Sequence, residues 1–77
     1  MIEKDSPLVQ QQRIRDRLRE LLPAASVEFQ KGTFGFRFRI DSECGNVLGC
    51  SGEYDPSEIA DWPDEKLRQT IRIVAHL

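Results

Sequence analysis

The chain has 77 residues and a net charge of −2, with 39% hydrophobic and 31% charged residues. These figures admit one domain with one small core over residues 1–77. They exclude an intrinsically disordered chain, and no apolar run approaches the roughly 20 residues of a membrane-spanning helix. The charge is split, because residues 1–40 carry eight Lys/Arg against five Asp/Glu and residues 41–77 carry three against eight. A bipolar chain lacks the concentrated basic footprint of a general phosphate binder. It suits a charged protein partner or a second copy of itself.

The first ten residues, MIEKDSPLVQ, hold no hydrophobic stretch of the secretory type, so a cytoplasmic location is expected, with residues 1–5 disordered. Ser6-Pro7 predicts an N-cap followed by proline in the first helical turn. Ile14, Leu18, Leu21 and Leu22 recur at helical spacing, and Pro23 ends the element. Arg13, Arg15, Arg17 and Arg19 spread around this helix, with Asp16 and Glu20 placed for pairing at three- and four-residue spacing.

Val27 and Phe29 alternate with polar residues, as do Phe34, Phe36, Phe38 and Ile40 with Gly35, Arg37 and Arg39. That is strand period. Lys31-Gly32 suits a two-residue hairpin turn with glycine at positive φ, which sets Phe29 opposite Phe34 and Val27 opposite Phe36. A second loop, Glu43-Cys44-Gly45, brings in a third strand with Ile40 opposite Leu48 and Phe38 opposite Cys50. All four phenylalanines then face the core. Ser57 to Asp61 reads as one helical turn carrying Ile59. A last helix opens at Asp61-Trp62-Pro63-Asp64-Glu65, with a capping carboxylate, proline and first-turn acids, and presents Leu67, Ile71 and Val74. Ile71, Ile73 and Ala75 also alternate, so residues 70–77 fit either helix or strand. The expected fold class is α+β: α-β-β-β-α, a three-stranded antiparallel meander with two helices packed on one face.

Lys31-Gly32-Thr33-Phe34-Gly35-Phe36-Arg37-Phe38 resembles the RNA-contacting strand of RNA-recognition motifs and cold-shock domains. The resemblance implies Phe34 and Phe36 on the RNA side and Arg37 and Arg39 in the core. Unpaired guanidinium groups there are prohibitive, so parity favours the reverse arrangement. The α-β-β-β-α order is similar to the double-stranded-RNA-binding domain, which implies contacts from the first helix, a long loop between the first two strands and a basic start to the last helix. Here that loop is Lys31-Gly32, and the last helix opens on Asp61, Asp64 and Glu65. Only Arg13, Arg15, Arg17 and Arg19 carry the implication. Gly45-Asn46-Val47-Leu48 with Ser51 and Tyr54 resembles a strand of YegP-like bacterial repeats, which implies no activity.

Catalysis needs a nucleophile, a base and a group that orients them. The only histidine, His76, is penultimate, and no basic neighbour stands near Cys44 in sequence to activate its thiol. Cys44 and Cys50 with one histidine fall short of the four ligands of a closed zinc site, and free thiols are the expected state. No metal, cofactor or enzyme pocket is expected in so small a domain. The expected function is a small non-enzymatic protein–protein interaction or regulatory module, an inhibitor or adaptor with a charged surface, acting on a protein partner or as a homodimer. Its candidate surfaces are the open sheet face, with Glu28 neutralising Arg37 beside Arg39, and an acidic patch including Asp61, Asp64 and Glu65. Trp62 is either a lid on the core or an exposed anchor. The alternative is nucleic-acid binding by Arg13, Arg15, Arg17 and Arg19.

Overall fold

The computed structural model describes residues 6–77, and the disorder expected for residues 1–5 lies outside the described residues. Helix α1 spans Pro7–Leu21, β1 Ser26–Lys31, β2 Phe36–Asp41, β3 Val47–Cys50, α2 Pro56–Ala60 and α3 Asp64–Ala75. The strands form one antiparallel sheet in the order β1-β2-β3, and the helices pack on one face of it. This is the expected α+β meander, with α2 as the single turn around Ile59.

Strand β2 sets the layers. Phe36, Phe38 and Ile40 are buried while Arg37 is exposed and Arg39 is half-buried, so one side of the central strand is apolar and the other is wet. Ile14 and Leu18 of α1, Ile59 of α2, and Leu67, Ile71 and Val74 of α3 close over that apolar side, with Trp62 at 8% exposure filling the corner before α3. Each such large side chain taken out of water stabilises the fold by roughly 1.5–3 kcal/mol. Residues 70–75 are helical: Ile71 and Val74 are buried and Ile73 is exposed, which is the pattern of a 3.6-residue turn. The helix ends in a left-handed His76 at φ 60°, and the Leu77 amide donates to the Arg72 carbonyl at 2.9 Å, closing the last turn.

Two registers differ from those the sequence suggests. In the first hairpin Phe29 pairs with Phe38 and Val27 with Ile40, because the chain turns at Thr33-Phe34 between Gly32 and Gly35, not at Lys31-Gly32. The slip is even, so every side chain keeps its face. Phe34 alone changes place, from the core to the tip, where it is 80% exposed. In the second hairpin the Glu43-Cys44-Gly45 loop forms as expected, with Gly45 at φ 86° and the Ser42 amide on the Asn46 carbonyl. A bulge between Ile40 and Asp41 then pairs Ile40 with Gly49 and Arg39 with Cys50. Cys50 is therefore on the open face beside Arg39, not opposite Phe38.

The bulge has a packing reason. It admits both Leu48 and Gly49 to the helix side, and a Cβ built on Gly49 would overlap the Val74 carbonyl oxygen. Helix α3 rests on bare backbone there. Gly49→Ala is expected to lower stability by about 1–3 kcal/mol by forcing α3 off the sheet. Urea denaturation measures that loss, and an unchanged midpoint would mean that α3 does not press on β3 at this point.

Candidate functional site

The arginines of α1 do not act as one surface. The Arg13 guanidinium crosses to the corner between α2 and α3 and donates to the Ile59 carbonyl at 3.0 Å and the Trp62 carbonyl at 2.7 Å. It also bonds Gln10 Oε1 at 2.9 Å and meets Asp64 at 3.4 Å. The Ile59 carbonyl also accepts the Trp62 amide at 3.0 Å, and by joining the end of α2 and the turn into α3 to α1, Arg13 is a tie within the fold. Arg17 bridges Asp64 and Glu20, each at 3.1 Å. Arg15 lies over the Phe29 ring, 4.9 Å from its centroid, and Arg19 is exposed. Asp16 accepts from Gln12 instead of from an arginine.

The open sheet face is also largely self-satisfied. Glu28 stands directly across from Arg39 and pairs with it, while Asp41 takes the Arg39 Nε at 3.0 Å. The hydrogen bond to Asp41, with the charges of Asp41 and Glu28, raises the Arg39 pKa above its ordinary value. The expected pairing of Glu28 with Arg37 is absent, because the shifted register puts Arg39 directly across from Glu28 and leaves Gln30 across from Arg37. Arg37 is exposed and has no carboxylate partner among the described residues.

The acidic set is divided in the same way. Asp64 serves Arg13 and Arg17, and Glu65 faces Arg68 at 3.5 Å and Arg72 at 3.9 Å. Asp61 is exposed at the end of α2 and caps nothing in α3, whose N-cap position is Pro63. Asp55 caps α2 through the Ser57 amide at 2.9 Å and takes the Ser57 hydroxyl at 2.8 Å, which together lower its pKa. Trp62 belongs to the core: it meets Tyr54 edge-on at 5.0 Å, with the Lys66 ammonium 4.6 Å above its ring. It is not an exposed anchor.

The feature that sequence reasoning missed is a cleft of about 750 Å³ between α1 and β1, running up to the hairpin tip. So small a domain was not expected to hold a pocket of that size. Pro7, Gln11 and Arg15 form one wall at four-residue spacing along α1, and Val27, Phe29 and Lys31 of β1 form the other. Phe36 and Phe29, in edge contact at 5.6 Å, make an apolar floor. Phe34 stands at the end of the cleft on a loop held from behind by Glu53, whose Oε1 accepts from the Phe34 amide at 2.6 Å and the Gly35 amide at 3.1 Å. A Cβ on Gly35 would overlap the Tyr54 carbonyl oxygen, so only glycine lets the returning chain pass beneath the tip. The backbone that carries the exposed phenylalanine is therefore held in place. Neither His76 nor either cysteine lines the cleft, and both cysteines are free and exposed. Among the described residues no three His, Cys, Asp or Glu side chains gather as a metal site, and no helix is long and apolar enough to cross a membrane.

No protein family, curated sequence or solved structure matches this chain.

Two outcomes check these assignments. Arg13→Ala is expected to destabilise the protein by about 1–3 kcal/mol, with no rescue by Arg13→Lys, because one ammonium cannot span the two carbonyls. Arg15→Ala, at the exposed mouth of the cleft, should change the urea midpoint far less. Equal losses at both positions would contradict the division between tie and rim. By carboxylate NMR, Asp55 should titrate below the usual aspartate range, and Ser57→Ala should move it back up. Since its folded pKa lies below the unfolded one, its contribution to stability holds above the unfolded value and is lost as pH falls through the folded one.

Proposed function

We propose that this chain is a small non-enzymatic protein-interaction module, an adaptor or inhibitor, that engages its partner through the cleft end of the sheet. The observation that carries the reading is Phe34, 80% exposed on a braced tip beside an apolar floor. Aromatic side chains next to a desolvated pocket are the usual energetic anchors of protein interfaces. The two surfaces that composition favours are weaker candidates, because Arg39 and Asp64 are already engaged within the chain. The cytoplasmic setting assigned to the module is supported by two free thiols, Cys44 and Cys50.

Nucleic-acid binding by the first helix is the second reading, and the geometry removes half of its basis. Arg13 and Arg17 are held by carbonyls and carboxylates, which leaves Arg15 and Arg19 as exposed cations on α1. Two cations give only a shallow salt dependence.

The test is affinity purification with tagged wild-type protein and with Phe34→Ser. A partner recovered by the wild type is expected to be lost with Phe34→Ser, while folding stability stays within about 0.5 kcal/mol, as for a surface change. Equal recovery by both forms would sink the reading. In parallel, no binding to duplex RNA or DNA is expected at low salt; tight binding that weakens steeply with salt would favour the second reading instead.

A further inference from the structure

We propose that the α1–β1 cleft receives an extended acidic peptide segment, which joins the sheet as a fourth strand along β1. The proposal rests on the interaction-module reading and names the chemical class of the partner segment.

The first ground is the state of the strand edge. β1 is the outer strand on its side, six residues long and regular in register, whereas β3 at the other edge is four residues long and bulged. The Gly32 amide bonds the Gly35 carbonyl at 2.8 Å, so alternation turns the backbone groups of Ser26, Glu28 and Gln30 toward β2. Those of Val27, Phe29 and Lys31 then point away from the sheet, and they have no partner among the described residues. A row of three residues with free donors and acceptors is what a strand-adding peptide pairs with.

The second ground is the shape beside that edge. The helix wall at Pro7, Gln11 and Arg15 continues to Arg19, where a smaller hollow of about 190 Å³ follows Val27 toward Pro23. The groove thus tracks the whole of β1, roughly 20 Å for a six-residue strand. Alternate side chains of an added strand would enter it against Val27 and Phe29, which favours β-branched or aromatic residues there.

The third ground is charge. Arg15, Arg19 and Lys31 stand along this groove with no carboxylate partner among the described residues. The nearby carboxylates are engaged elsewhere, Glu28 with Arg39 and Glu53 with the amides of the tip. The rim is therefore basic around an apolar floor, and Asp or Glu at the outer groove-facing positions of the added strand, two residues from those set against Val27 and Phe29, complements it. A second copy is a poor occupant, because two-fold pairing of β1 with itself would bring both basic rims together. Nucleic acid has no ladder of amide donors and carbonyl acceptors to offer the edge.

The probe is a set of capped eight-residue peptides whose groove-facing positions carry β-branched residues at the centre and glutamate at the two ends, with a lysine series as control, titrated into the full chain by NMR. The glutamate series is expected to bind and slow amide exchange at Val27, Phe29 and Lys31, and the lysine series not to bind. Val27→Pro removes an outward amide that the β1–β2 ladder does not use, and is expected to weaken binding at least tenfold while a thermal melt reports a folded protein. Arg15→Glu with Lys31→Glu should reverse the preference between the two series. The proposal is overturned if no glutamate peptide binds at millimolar concentration, or if binding leaves those three amides exchanging as in the free chain. Sedimentation of the free chain as a dimer with the same amides already protected would also overturn it. In any of these cases a purified partner that still requires Phe34 would leave the interaction module standing, so the two failures are distinct.

Discussion

Burial of Phe36, Phe38 and Ile40 on one side of β2 is the constraint from which the rest of the structure follows. Because strand side chains alternate, that burial sends Arg37 and Arg39 to the opposite face and requires a cover of about two helices over the first. The neighbouring strands have to continue the same apolar side, which Val27 and Phe29 do from β1 and Leu48 from β3. Where the cover comes closest, side chains are left out altogether. Gly49 lies under the Val74 carbonyl, and Gly35 lies under the returning chain at Tyr54. The aromatic contacts run along this layer from Trp62 through Tyr54 and Phe38 to Phe29, with a cation over the ring at each end, Lys66 and Arg15.

The split of charge between the two halves of the chain finds its complement largely inside the molecule. Arg13 and Arg17 from the basic half meet Asp64 from the acidic half, and Glu20 on α1 meets Arg68 on α3 at 3.2 Å. These groups are partly exposed, so each pair adds little stability through charge alone. Arg13 differs because it donates to two backbone carbonyls, one at the end of α2 and one in the turn into α3. What survives this pairing is uneven. Arg15, Arg19 and Lys31 remain along one groove and Arg37 on the open sheet face, while Asp61 remains apart from the groove at the end of α2.

The layers were legible in the sequence because they depend on parity, and parity survives an even slip of register. Val27, Phe29, Phe36, Phe38 and Ile40 keep the faces that alternation assigns them although the first hairpin turns two residues later than Lys31-Gly32 suggests. The turn itself was not legible. Gly32 invites a tight turn by its conformational freedom, yet it sits where Glu53 reaches the tip, and that contact spans 21 positions in the chain. The bulge in β3 was hidden for a similar reason, since it answers to the backbone of α3 and not to any local pattern. Pairings of Arg13 and Asp64 likewise depend on how two helices, distant in sequence but packed on the same face of the sheet, come together. Local periodicity carries no information about such long-range contacts, and for that reason the individual site residues were harder to place than the fold.

The two displaced residues of the first hairpin explain both why the cleft exists and why composition concealed it. A turn at Lys31-Gly32 would have ended the strands beneath α1 and placed Phe34 across from Phe29 in the core. Turning at Thr33-Phe34 instead lengthens both strands, and beside the α1 wall at Pro7, Gln11 and Arg15 Phe36 is buried while Phe29 is only half-buried. The uncovered remainder is the cleft floor, and Phe34 is the residue that the longer hairpin expels from the core to its end. An apolar side chain held in water on a braced loop gains nothing for a folded monomer. The carboxylate of Glu53 and the bare backbone of Gly35 hold it there nonetheless. An exposed aromatic braced beside an apolar floor is the arrangement that the proposed partner segment would complete by covering both.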